Sequence, residues 1–470
     1  MDSTEERDLT PSDDILQNMF GEHKPAKLEI LAQTFQSCTF SVHTSETSSS
    51  YHLKDLLVRL ELSSGRLQAV AELQRLAYLH IPELVPKTFD LGTVTTADGR
   101  QLDYSVTQFV AGTTVLESVW QDLDDDQQAA LMNSVVDAVT KIQRLKLDDK
   151  PVQATLSATA YIFGGLDTGT SIQHPLGGPE LGYLRDTAAF LAGIIKANSP
   201  KSPTSSIVPS LSGDGITMTS TYDNLGSVHI PQSDLDFLQQ HSIFCYNDLE
   251  PRNLLVRAVD VADGKQTYEL AAIIDWEMAG FYPFAYEYCV KDSVLGSSNL
   301  YLSWYTLFKQ RTAALVPAHR FSEALIRVVD LIYRSREADD QERCVRDGWV
   351  RRADAGTVPK FTKEDNQKLE EDVLRALVDH KRMDAVAKKA MTCRNGHEVK
   401  LLWTAGSPMT VQDNACDGIS HRLYAYIVEV TISWLVVPCT GPKLRSIHVE
   451  TCVFGPKAEE LIEGDILPGH

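Results

Sequence analysis

Two aspartates and an asparagine between residues 241 and 280 have side chains that could do chemistry together. Asn253 follows Asp248 by five positions, and Asp275 comes just after a short apolar run. The apolar segment SIFC precedes Asp248, LLV follows Asn253, and LAAII leads into Asp275. Short apolar runs bounded by polar residues predict strands. A hairpin would bring the loop before its first strand close to the loop after its second, so we expect the three polar side chains around one small volume.

Such a set of side chains suits phosphoryl transfer from a magnesium nucleotide. A carboxylate and an amide supply the hard oxygen ligands that Mg²⁺ prefers, and the ion keeps part of its shell for water and phosphate oxygens. The other carboxylate could accept the proton of an attacking hydroxyl and aim it in line with the γ-phosphorus. A lone Asp-x4-Asn often arises by chance, but the order of strands and loops around all three residues is far rarer.

The motifs around these residues resemble those of a known family. DLEPRN reads like the catalytic loop of eukaryotic protein kinases, and IIDWE stands where those kinases carry DFG. The wider pattern is similar to the aminoglycoside phosphotransferase family, and more closely to its fungal branch. The resemblance implies that Asp248 is the catalytic base, with Asn253 and Asp275 as metal ligands. Glu277 would then be a second acid at the metal.

Two departures from the family pattern are visible. Members usually carry His two residues before the catalytic Asp, and this chain has Tyr246 there. Tyr can fill the space and donate one hydrogen bond, but it is not cationic at neutral pH. The glycine-rich loop of protein kinases is also missing, because SCTFSVHTSETSSS (37–50) has no glycine. Ser and Thr hydroxyls and backbone N–H groups would then cover the phosphates, and aminoglycoside phosphotransferases also lack the glycine triplet.

The N-terminal part of the chain alternates as strands do and contains one helical segment. Residues 38–62 predict two strands around a polar turn, and residues 67–79 predict a helix. In a kinase-like small lobe, the third strand carries a cation for the α- and β-phosphates and the helix carries its acidic partner. By resemblance these residues are Arg59 and Glu72; alternatively, both are ordinary surface charges. Lys54 is a rival cation, although strand alternation puts it on the opposite face from Arg59.

The remaining candidate residues come from the resemblance. In such folds the adenine edge bonds to backbone groups of the linker between the lobes, here expected at Gln108, Phe109 and Val110. The helices after DWE help to form the acceptor pocket in this family. The candidates there are Glu287, Trp304, Tyr305 and Asp330. Most aromatic residues at helical spacing belong to a core, so any one of these is more often structural than functional.

Together these patterns predict an α+β, bilobal, protein-kinase-like fold with a small β-rich N-lobe and a larger, mostly helical C-lobe. The expected parts are a partly disordered segment (1–30), the nucleotide-binding N-lobe (31–110), the C-lobe (111–390) and a C-terminal extension (391–470). A Gly-, Ser-, Thr- and Pro-rich stretch near 196–230 is expected to be a flexible insertion, either a linker or a substrate lid. The extension is either a β-rich element or poorly structured sequence.

Composition argues against some classes of function. The 470 residues carry a formal net charge of −20, which does not suit a nucleic-acid surface. The longest apolar run (423–437) is short for a membrane span and contains Glu429. The acidic N-terminus lacks the layout of a signal peptide, and eight scattered Cys without CxxC pairs are typical of reduced thiols. We therefore expect a cytoplasmic protein, monomeric or homodimeric, without a membrane or nucleic-acid partner.

Two functional hypotheses of different classes follow. In the first, the protein is an ATP- and Mg-dependent kinase of a small-molecule hydroxyl, in which Arg59, paired to Glu72, steadies the α- and β-phosphates. In the second, it is a catalytically weak or inactive pseudokinase that binds a ligand or acts as a scaffold, which Tyr246 and the missing glycines favour. A protein kinase is less well supported, because the HRD triplet and a recognisable APE segment are absent. The sequence does not indicate the acceptor.

Overall fold

A computed structural model describes most of the first 336 residues and shorter pieces of the rest. The described segments are 8–21, 25–43, 55–97, 99–160, 175–198, 203–210, 213–222, 225–260, 266–294, 301–317 and 320–336, with a few helical positions between 348 and 378 and five strands between 400 and 453. The chain divides into two compact units, Met1–Leu369 and Glu370–His470. Lys54 and most of the Ser- and Thr-rich loop before it lie outside the described residues.

An antiparallel five-stranded sheet forms the N-lobe. Its strands are β1 (Lys27–Gln33), β2 (Ser37–His43), β3 (Asp55–Leu62), β4 (Thr88–Thr95) and β5 (Gln101–Gln108), in the order β1-β2-β3-β5-β4 across the sheet. The predicted alternation is confirmed, because Val58 and Leu60 are fully buried while Arg59 on the other face is half-buried. A short helix, α1 (Asp13–Phe20), adds Ile15 to the core of this sheet.

The helix between β3 and β4, α2 (Arg66–Tyr78), confirms the helix predicted near residues 67–79. It starts after Gly65, whose φ of 74° lies in the left-handed region that favours glycine. Gly65 has no side chain that could cap this start, and the buried carboxylate of Asp103 on β5 binds the chain just before the helix instead. It accepts hydrogen bonds from the backbone amides of Ser64 (3.0 Å) and Gly65 (2.9 Å). The three leucines of α2 are buried.

The C-lobe opens with helices. After β6 (Thr114–Val115) and α3 (Leu116–Val119) come α4 (Asp125–Ile142) and α5 (Lys150–Ala160). A capping box starts α4: the Asp124 carboxylate accepts from the Gln127 amide, and the Gln127 side chain accepts from the Asp124 amide. Val135, Val139 and Ile142 lie on one face of this helix and are buried.

Regular structure occupies part of the stretch before the hairpin. Its short strands were not predicted from the sequence, whereas the apolar pattern at 183–196 predicts a helix. The pair β7 (Leu176–Gly178) and β8 (Gly182–Leu184) and the helix α6 (Thr187–Asn198) are followed by an antiparallel sheet of β9 (Ser205–Pro209), β10 (Ile216–Ser220) and β11 (Ser227–Ile230), and then by α7 (Gln232–Gln240). Met218 and Ile230 from this sheet are buried in the C-lobe core. The insertion near 196–230 therefore contains a packed three-stranded sheet, while its mobility stays a prediction.

The hairpin predicted between Asn253 and Asp275 is confirmed. β13 (Leu254–Asp260) and β14 (Gln266–Ile273) form it, β12 (Ile243–Cys245) precedes it, and β15 (Gly280–Tyr282) follows it and pairs antiparallel with β12. The backbone amide of Ile274 donates to the carbonyl of Asn253 (2.9 Å). The loop before β13 and the loop after β14 therefore meet at one end of the hairpin.

Three further helices follow: α8 (Phe284–Val294), α9 (Leu302–Thr312) and α10 (Arg320–Arg336). The predicted α+β fold, with a β-rich N-lobe and a mostly helical C-lobe, is confirmed. None of the described helices is long and apolar enough to cross a membrane. In the second unit, β16 (Lys400–Leu402) pairs with β17 (Thr410–Gln412), and β18 (His421–Ile427), β19 (Thr431–Val437) and β20 (Glu450–Val453) form another antiparallel sheet.

Candidate active site

The hairpin brings the three residues of the predicted site together. The amide nitrogen Nδ2 of Asn253 donates to the Asp248 carboxylate oxygen Oδ2 (2.6 Å) and to the Asp248 carbonyl (2.9 Å). Asp275 follows Ile274, whose backbone amide binds the Asn253 carbonyl. The spatial arrangement expected from the sequence is therefore present, although the roles of these residues stay predictions.

Tyr246 joins the two loops in the place where the family usually keeps His. Its ring is buried, and its hydroxyl donates to the backbone carbonyls of Ile274 and Asp275, the latter at 2.9 Å. Burial raises the pKa of Tyr246 well above its ordinary value, and the charges of Asp248 and Asp275 add to this effect. The hydroxyl therefore keeps its proton at neutral pH and remains a hydrogen-bond donor.

Glu287 on α8 binds the backbone of the loop just before Asp248. Its carboxylate accepts from the backbone amides of Tyr246 (3.2 Å) and Asn247 (3.1 Å). Asn247 has a φ of 66°, which is uncommon for a residue other than glycine, and its side-chain amide donates to the Met278 carbonyl. The expectation that Glu287 contacts the acceptor is corrected, because its side chain is 1% exposed and committed to the loop backbone.

A buried ion pair lies next to this contact. The ammonium Nζ of Lys291, on α8, donates to the Glu250 carboxylate oxygen Oε1 at 2.7 Å, and both side chains are at most 2% exposed. The second oxygen of Glu250 is buried without a hydrogen-bond partner among the described residues. Burial raises the pKa of both Glu250 and Glu287, while the positive charge of Lys291 opposes the shift. The loop that carries Asp248 is thus bound to α8 through buried charged groups.

Asp275 has the features of an unsatisfied metal ligand. Its backbone is left-handed (φ 61°), and its carboxylate oxygen Oδ1 is buried without a hydrogen-bond partner among the described residues. The Arg59 guanidinium nitrogen Nη1 lies 3.7 Å from that oxygen. Burial, followed by the charge of Glu277, raises the pKa of Asp275 from 3.8 to about 6, against the opposing charge of Arg59. A hard cation bound by Oδ1 would relieve this cost.

The residues predicted to hold a metal fit Mg²⁺ in kind and in number. They are two carboxylates, Asp275 and Glu277, and the amide of Asn253. Mg²⁺ commonly takes one or two carboxylates and fills the rest of its shell with water and phosphate oxygens. No cluster of three or more His, Cys, Asp or Glu side chains able to hold a metal occurs in the described segments. A site with only two acids is consistent with that result.

Arg59 points into this site, as predicted, but its expected partner does not. Its nitrogen Nη2 lies 2.6 Å from the Glu61 carboxylate and 3.3 Å from that of Glu277. Glu72 instead binds Arg75 at 2.6 Å, one turn further along α2. The predicted Arg59–Glu72 pair is therefore corrected: the acids near Arg59 come from its own strand and from the loop after β14.

The sequence interpretation missed Glu61 and Arg66. Glu61 follows Arg59 by two residues, so strand alternation alone puts both on one face, and this signal was available. Arg66 is the first residue of α2, and its nitrogen Nη2 lies 2.8 Å from Glu277 and 3.5 Å from Glu180. Arg66 and Glu277 are 211 residues apart in the sequence. No local pattern reveals a contact of that kind.

Arg252 is a further cation at the predicted base. Its nitrogen Nη2 donates to both Asp248 carboxylate oxygens, at 2.7 and 3.0 Å. The charges of Asp248, Glu250 and Glu117 raise the pKa of Arg252 against the effect of burial. Asp248 is therefore surrounded by donors, with Arg252 on one side and the Asn253 amide on the other.

The predicted linker and acceptor residues fall in different surroundings. The backbone amides of Gln108 and Phe109 donate within the N-lobe, and the Val110 carbonyl accepts from Thr113, so their contact with an adenine stays a prediction. Trp304 is fully buried and donates from its indole nitrogen to the Leu249 carbonyl (3.1 Å). It supports the catalytic loop, which corrects the expectation of an acceptor contact.

Two acceptor candidates remain near the surface. The Tyr305 hydroxyl donates to the Asp292 carboxylate at 2.7 Å, and Lys309 lies 3.0 Å from the same carboxylate. Asp330 is exposed on α10, where Arg334 lies 3.7 Å away. Contact of Tyr305 or Asp330 with an acceptor stays a prediction.

The model of the Phosphotransferase enzyme family (APH) matches residues 36–290, more than half of the chain, and the protein belongs to this family. No curated protein matches the sequence. Among solved structures, the GDP and kanamycin complex of APH(2")-IIia is similar at 15% identity and a TM-score of 0.36, over 78% of this chain and 97% of that one.

Proposed function

We propose that the protein transfers the γ-phosphate of ATP to a hydroxyl group of a small molecule, with Mg²⁺ as cofactor. The observation that carries the proposal is the buried carboxylate oxygen Oδ1 of Asp275, which has no hydrogen-bond partner among the described residues and lies in the loop that the hairpin holds next to Asn253. The Arg59 guanidinium group, 3.7 Å away, is too distant to donate to this oxygen, so a bound cation would compensate a costly group. Membership of the phosphotransferase family supports the reaction type.

Each residue of the site has a proposed role. Asp248 accepts the proton of the acceptor hydroxyl as that oxygen bonds to the γ-phosphorus, and the bond from phosphorus to the bridging oxygen breaks to leave ADP. Asn253, Asp275 and Glu277 would hold Mg²⁺, which supplies positive charge to the phosphate oxygens. Arg59 binds phosphate oxygens from the N-lobe side through its planar, doubly donating guanidinium group.

The balance of charge supports the metal requirement. Five carboxylates and three guanidinium groups are linked by the ion pairs of the site, which leaves two negative charges in excess. The acids are Glu61, Glu180, Asp248, Asp275 and Glu277, and the cations are Arg59, Arg66 and Arg252. A bare triphosphate would meet net repulsion there. We therefore expect ATP to bind strongly only together with a divalent cation.

The test is a transfer assay with a panel of acceptors. Purified protein is incubated with Mg·ATP and hydroxyl compounds that include sugars, choline-like alcohols and aminoglycosides, and ADP and phosphorylated product are measured. Wild type should phosphorylate at least one acceptor, and Asp248→Asn and Asp275→Ala should do so far more slowly. The proposal fails when wild type transfers no phosphate and calorimetry detects no Mg-dependent nucleotide binding.

A second candidate function is a pseudokinase that binds a ligand without catalysis. It is favoured by the Asp248 carboxylate, whose two oxygens are already engaged by Arg252 and Asn253. A base held in this way must exchange a partner before it can accept a proton. Nucleotide binding that is equally strong with and without Mg²⁺, together with no phosphate transfer, would support this candidate. The cytoplasmic location and the monomeric or homodimeric state also stay predictions.

A further inference from the structure

We propose that Arg66 is a positioning residue for the metal site: it fixes the Glu277 carboxylate by one oxygen and leaves the other oxygen for the cation. The inference rests on the proposed function, because it assigns Glu277 to the metal. It replaces the expected pair between Arg59 and Glu72 with a different link, which runs from the first residue of α2 to the loop after β14.

Both guanidinium groups that contact the Glu277 carboxylate bind the same oxygen. The Glu277 oxygen Oε2 accepts from Arg66 Nη2 at 2.8 Å and from Arg59 Nη2 at 3.3 Å. The other oxygen, Oε1, accepts no hydrogen bond from the described residues. A carboxylate that is bound through one oxygen by two guanidinium groups has lost its rotational freedom, while its second oxygen can still approach a metal. Charge-assisted bonds of this length are among the stronger ones in proteins.

Arg66 is itself held in a fixed position. The buried Asp103 carboxylate binds the backbone amides of Ser64 and Gly65 and the hydroxyls of Ser63 (2.7 Å) and Thr93 (3.3 Å). This carboxylate fixes the chain immediately before Arg66. The Arg66 guanidinium group therefore extends from an anchored helix start rather than from a loose loop.

The location of Arg66 is unfavourable for helix stability. The first turn of a helix carries partial positive charge, so acids stabilise it and cations do not. The first turn of α2 contains no acid, and its first residue is Arg66. A cation kept at this end gains its stabilisation from the acids opposite it, which are Glu277 at 2.8 Å, Glu180 at 3.5 Å and Glu61 at 3.6 Å. Its place in the fold is explained by those contacts and not by the helix.

Whether removal of Arg66 weakens or tightens metal binding distinguishes a positioning role from the effect of its positive charge alone. If Arg66 acted only as a nearby positive charge, its removal would reduce repulsion and tighten binding of a divalent cation. If it orients Glu277, its removal frees the carboxylate to rotate and weakens binding. Loss of a group that orients a metal ligand typically costs about 10–100-fold in metal affinity. We infer that orientation dominates.

The experiment is a titration of the full chain with Mn²⁺, followed by electron paramagnetic resonance, in the presence of a non-hydrolysable ATP analogue. We expect Arg66→Gln to bind Mn²⁺ about 10–100-fold more weakly than wild type, with partial recovery in Arg66→Lys. Arg75→Gln is the matched control, because Arg75 lies on the same helix and binds Glu72 on the surface. It should bind Mn²⁺ as wild type does.

Several results would overturn the inference. Mn²⁺ binding by Arg66→Gln that equals or exceeds that of wild type contradicts it, provided that circular dichroism shows a folded protein. Asp103→Asn is a second variant that leaves the charge of Arg66 in place; it should also weaken Mn²⁺ binding, and unchanged binding contradicts the positioning role. If Asp275→Ala binds Mn²⁺ as wild type does, the proposed function fails along with the inference. If only Arg66→Gln is unaffected, the inference fails alone.

Discussion

At the scale of single residues, the structure holds Asp275 in a conformation that is costly to the fold. Its left-handed backbone and its buried carboxylate oxygen are both unfavourable, and no hydrogen bond from the described residues compensates that oxygen. Strain and unsatisfied groups of this kind persist where the surrounding structure enforces them. Tyr246 and the Ile274 amide supply part of that enforcement, because both bind across the two loops.

The raised pKa of Asp275 predicts a pH-dependent gain of stability in Asp275→Asn. The pKa of about 6 in the folded protein exceeds the ordinary value of 3.8, so folding favours the protonated form. The folded state therefore loses stability as pH rises from about 4 to about 6, and the full cost applies above that range. With metal chelated, Asp275→Asn should melt higher than wild type near pH 8, and the difference should shrink towards pH 4.

Asp137→Asn on the exposed face of α4 is the control for removal of one negative charge. It should show no comparable dependence on pH. Equal melting temperatures of wild type and Asp275→Asn at high pH would contradict the assignment of a buried, costly carboxylate.

The Tyr246 hydroxyl is predicted to stabilise the loops. Tyr246→Phe removes the donor to the Ile274 and Asp275 carbonyls and leaves buried acceptors unpaired, so the free energy of unfolding should fall by about 1–3 kcal/mol. Urea denaturation of wild type and Tyr246→Phe measures this difference in the free energy of unfolding. Tyr268→Phe is the matched control, because the Tyr268 hydroxyl makes no hydrogen bond to the described residues. A loss in Tyr246→Phe no larger than in this control would show that the hydroxyl has no structural role.

Residue types and spacing predicted that Asp248, Asn253 and Asp275 lie close together, but not which residues surround them. Asp248, Asn253 and Asp275 were found because few combinations of side chain and spacing suit phosphoryl transfer, and the strands between them indicated a hairpin. Arg66 was missed because its partner Glu277 is 211 residues away. The Arg59–Glu72 pair was wrong because resemblance places a residue on an element without specifying which neighbour its side chain meets.

At the scale of elements, the catalytic loop depends on α8. Glu287 binds two loop amides, and Lys291, one turn further along that helix, binds Glu250. Lys291 contacts the buried carboxylate of Glu250 directly, and its charge also acts on the buried carboxylate of Glu287. Removal of Lys291 therefore leaves both carboxylates without its compensating positive charge. Buried ion pairs contribute little net stability, but breaking one from a single side is strongly destabilising.

Lys291→Met tests this link between α8 and the loop. It should lower the free energy of unfolding by about 3–5 kcal/mol, because Glu250 loses its partner in a site without water. The double variant Glu250→Gln/Lys291→Met should be more stable than Lys291→Met alone, since the unpaired charge is then gone. Chemical denaturation of the four proteins in this cycle gives the coupling energy. A double variant that is as unstable as Lys291→Met would contradict the account.

Elements with strong periodicity were predicted, and short ones were not. The strands β2 and β3, the helix α2 and the hairpin have clear apolar alternation or stripes, and each was found. The β9–β11 sheet has strands of four or five residues in a stretch rich in Ser, Thr and Pro, which reads as a loop. Its stability comes from residues such as Met218 packed in the C-lobe core, and sequence periodicity does not report such packing.

At the scale of the whole molecule, the first unit contains every residue assigned to the site. The N-lobe sheet, the hairpin and α8–α10 all lie within Met1–Leu369. A chain without residues 370–470 should therefore fold, with a free energy of unfolding within about 1 kcal/mol of wild type and an unchanged affinity for Mg·ATP. Urea denaturation and calorimetry measure both quantities. A truncated chain that is unfolded would contradict this division of the protein.

The central claim is that the charged site transfers phosphate with Asp248 as base, and the most direct measurement compares wild type with Asp248→Asn. Both are assayed for transfer of the γ-phosphate from Mg·ATP to the best acceptor of the panel, and Mg·ATP affinity is measured in parallel. The account predicts that Asp248→Asn transfers phosphate about 10²–10⁴-fold more slowly while it binds Mg·ATP nearly as well. Transfer at the wild-type rate by Asp248→Asn would contradict it.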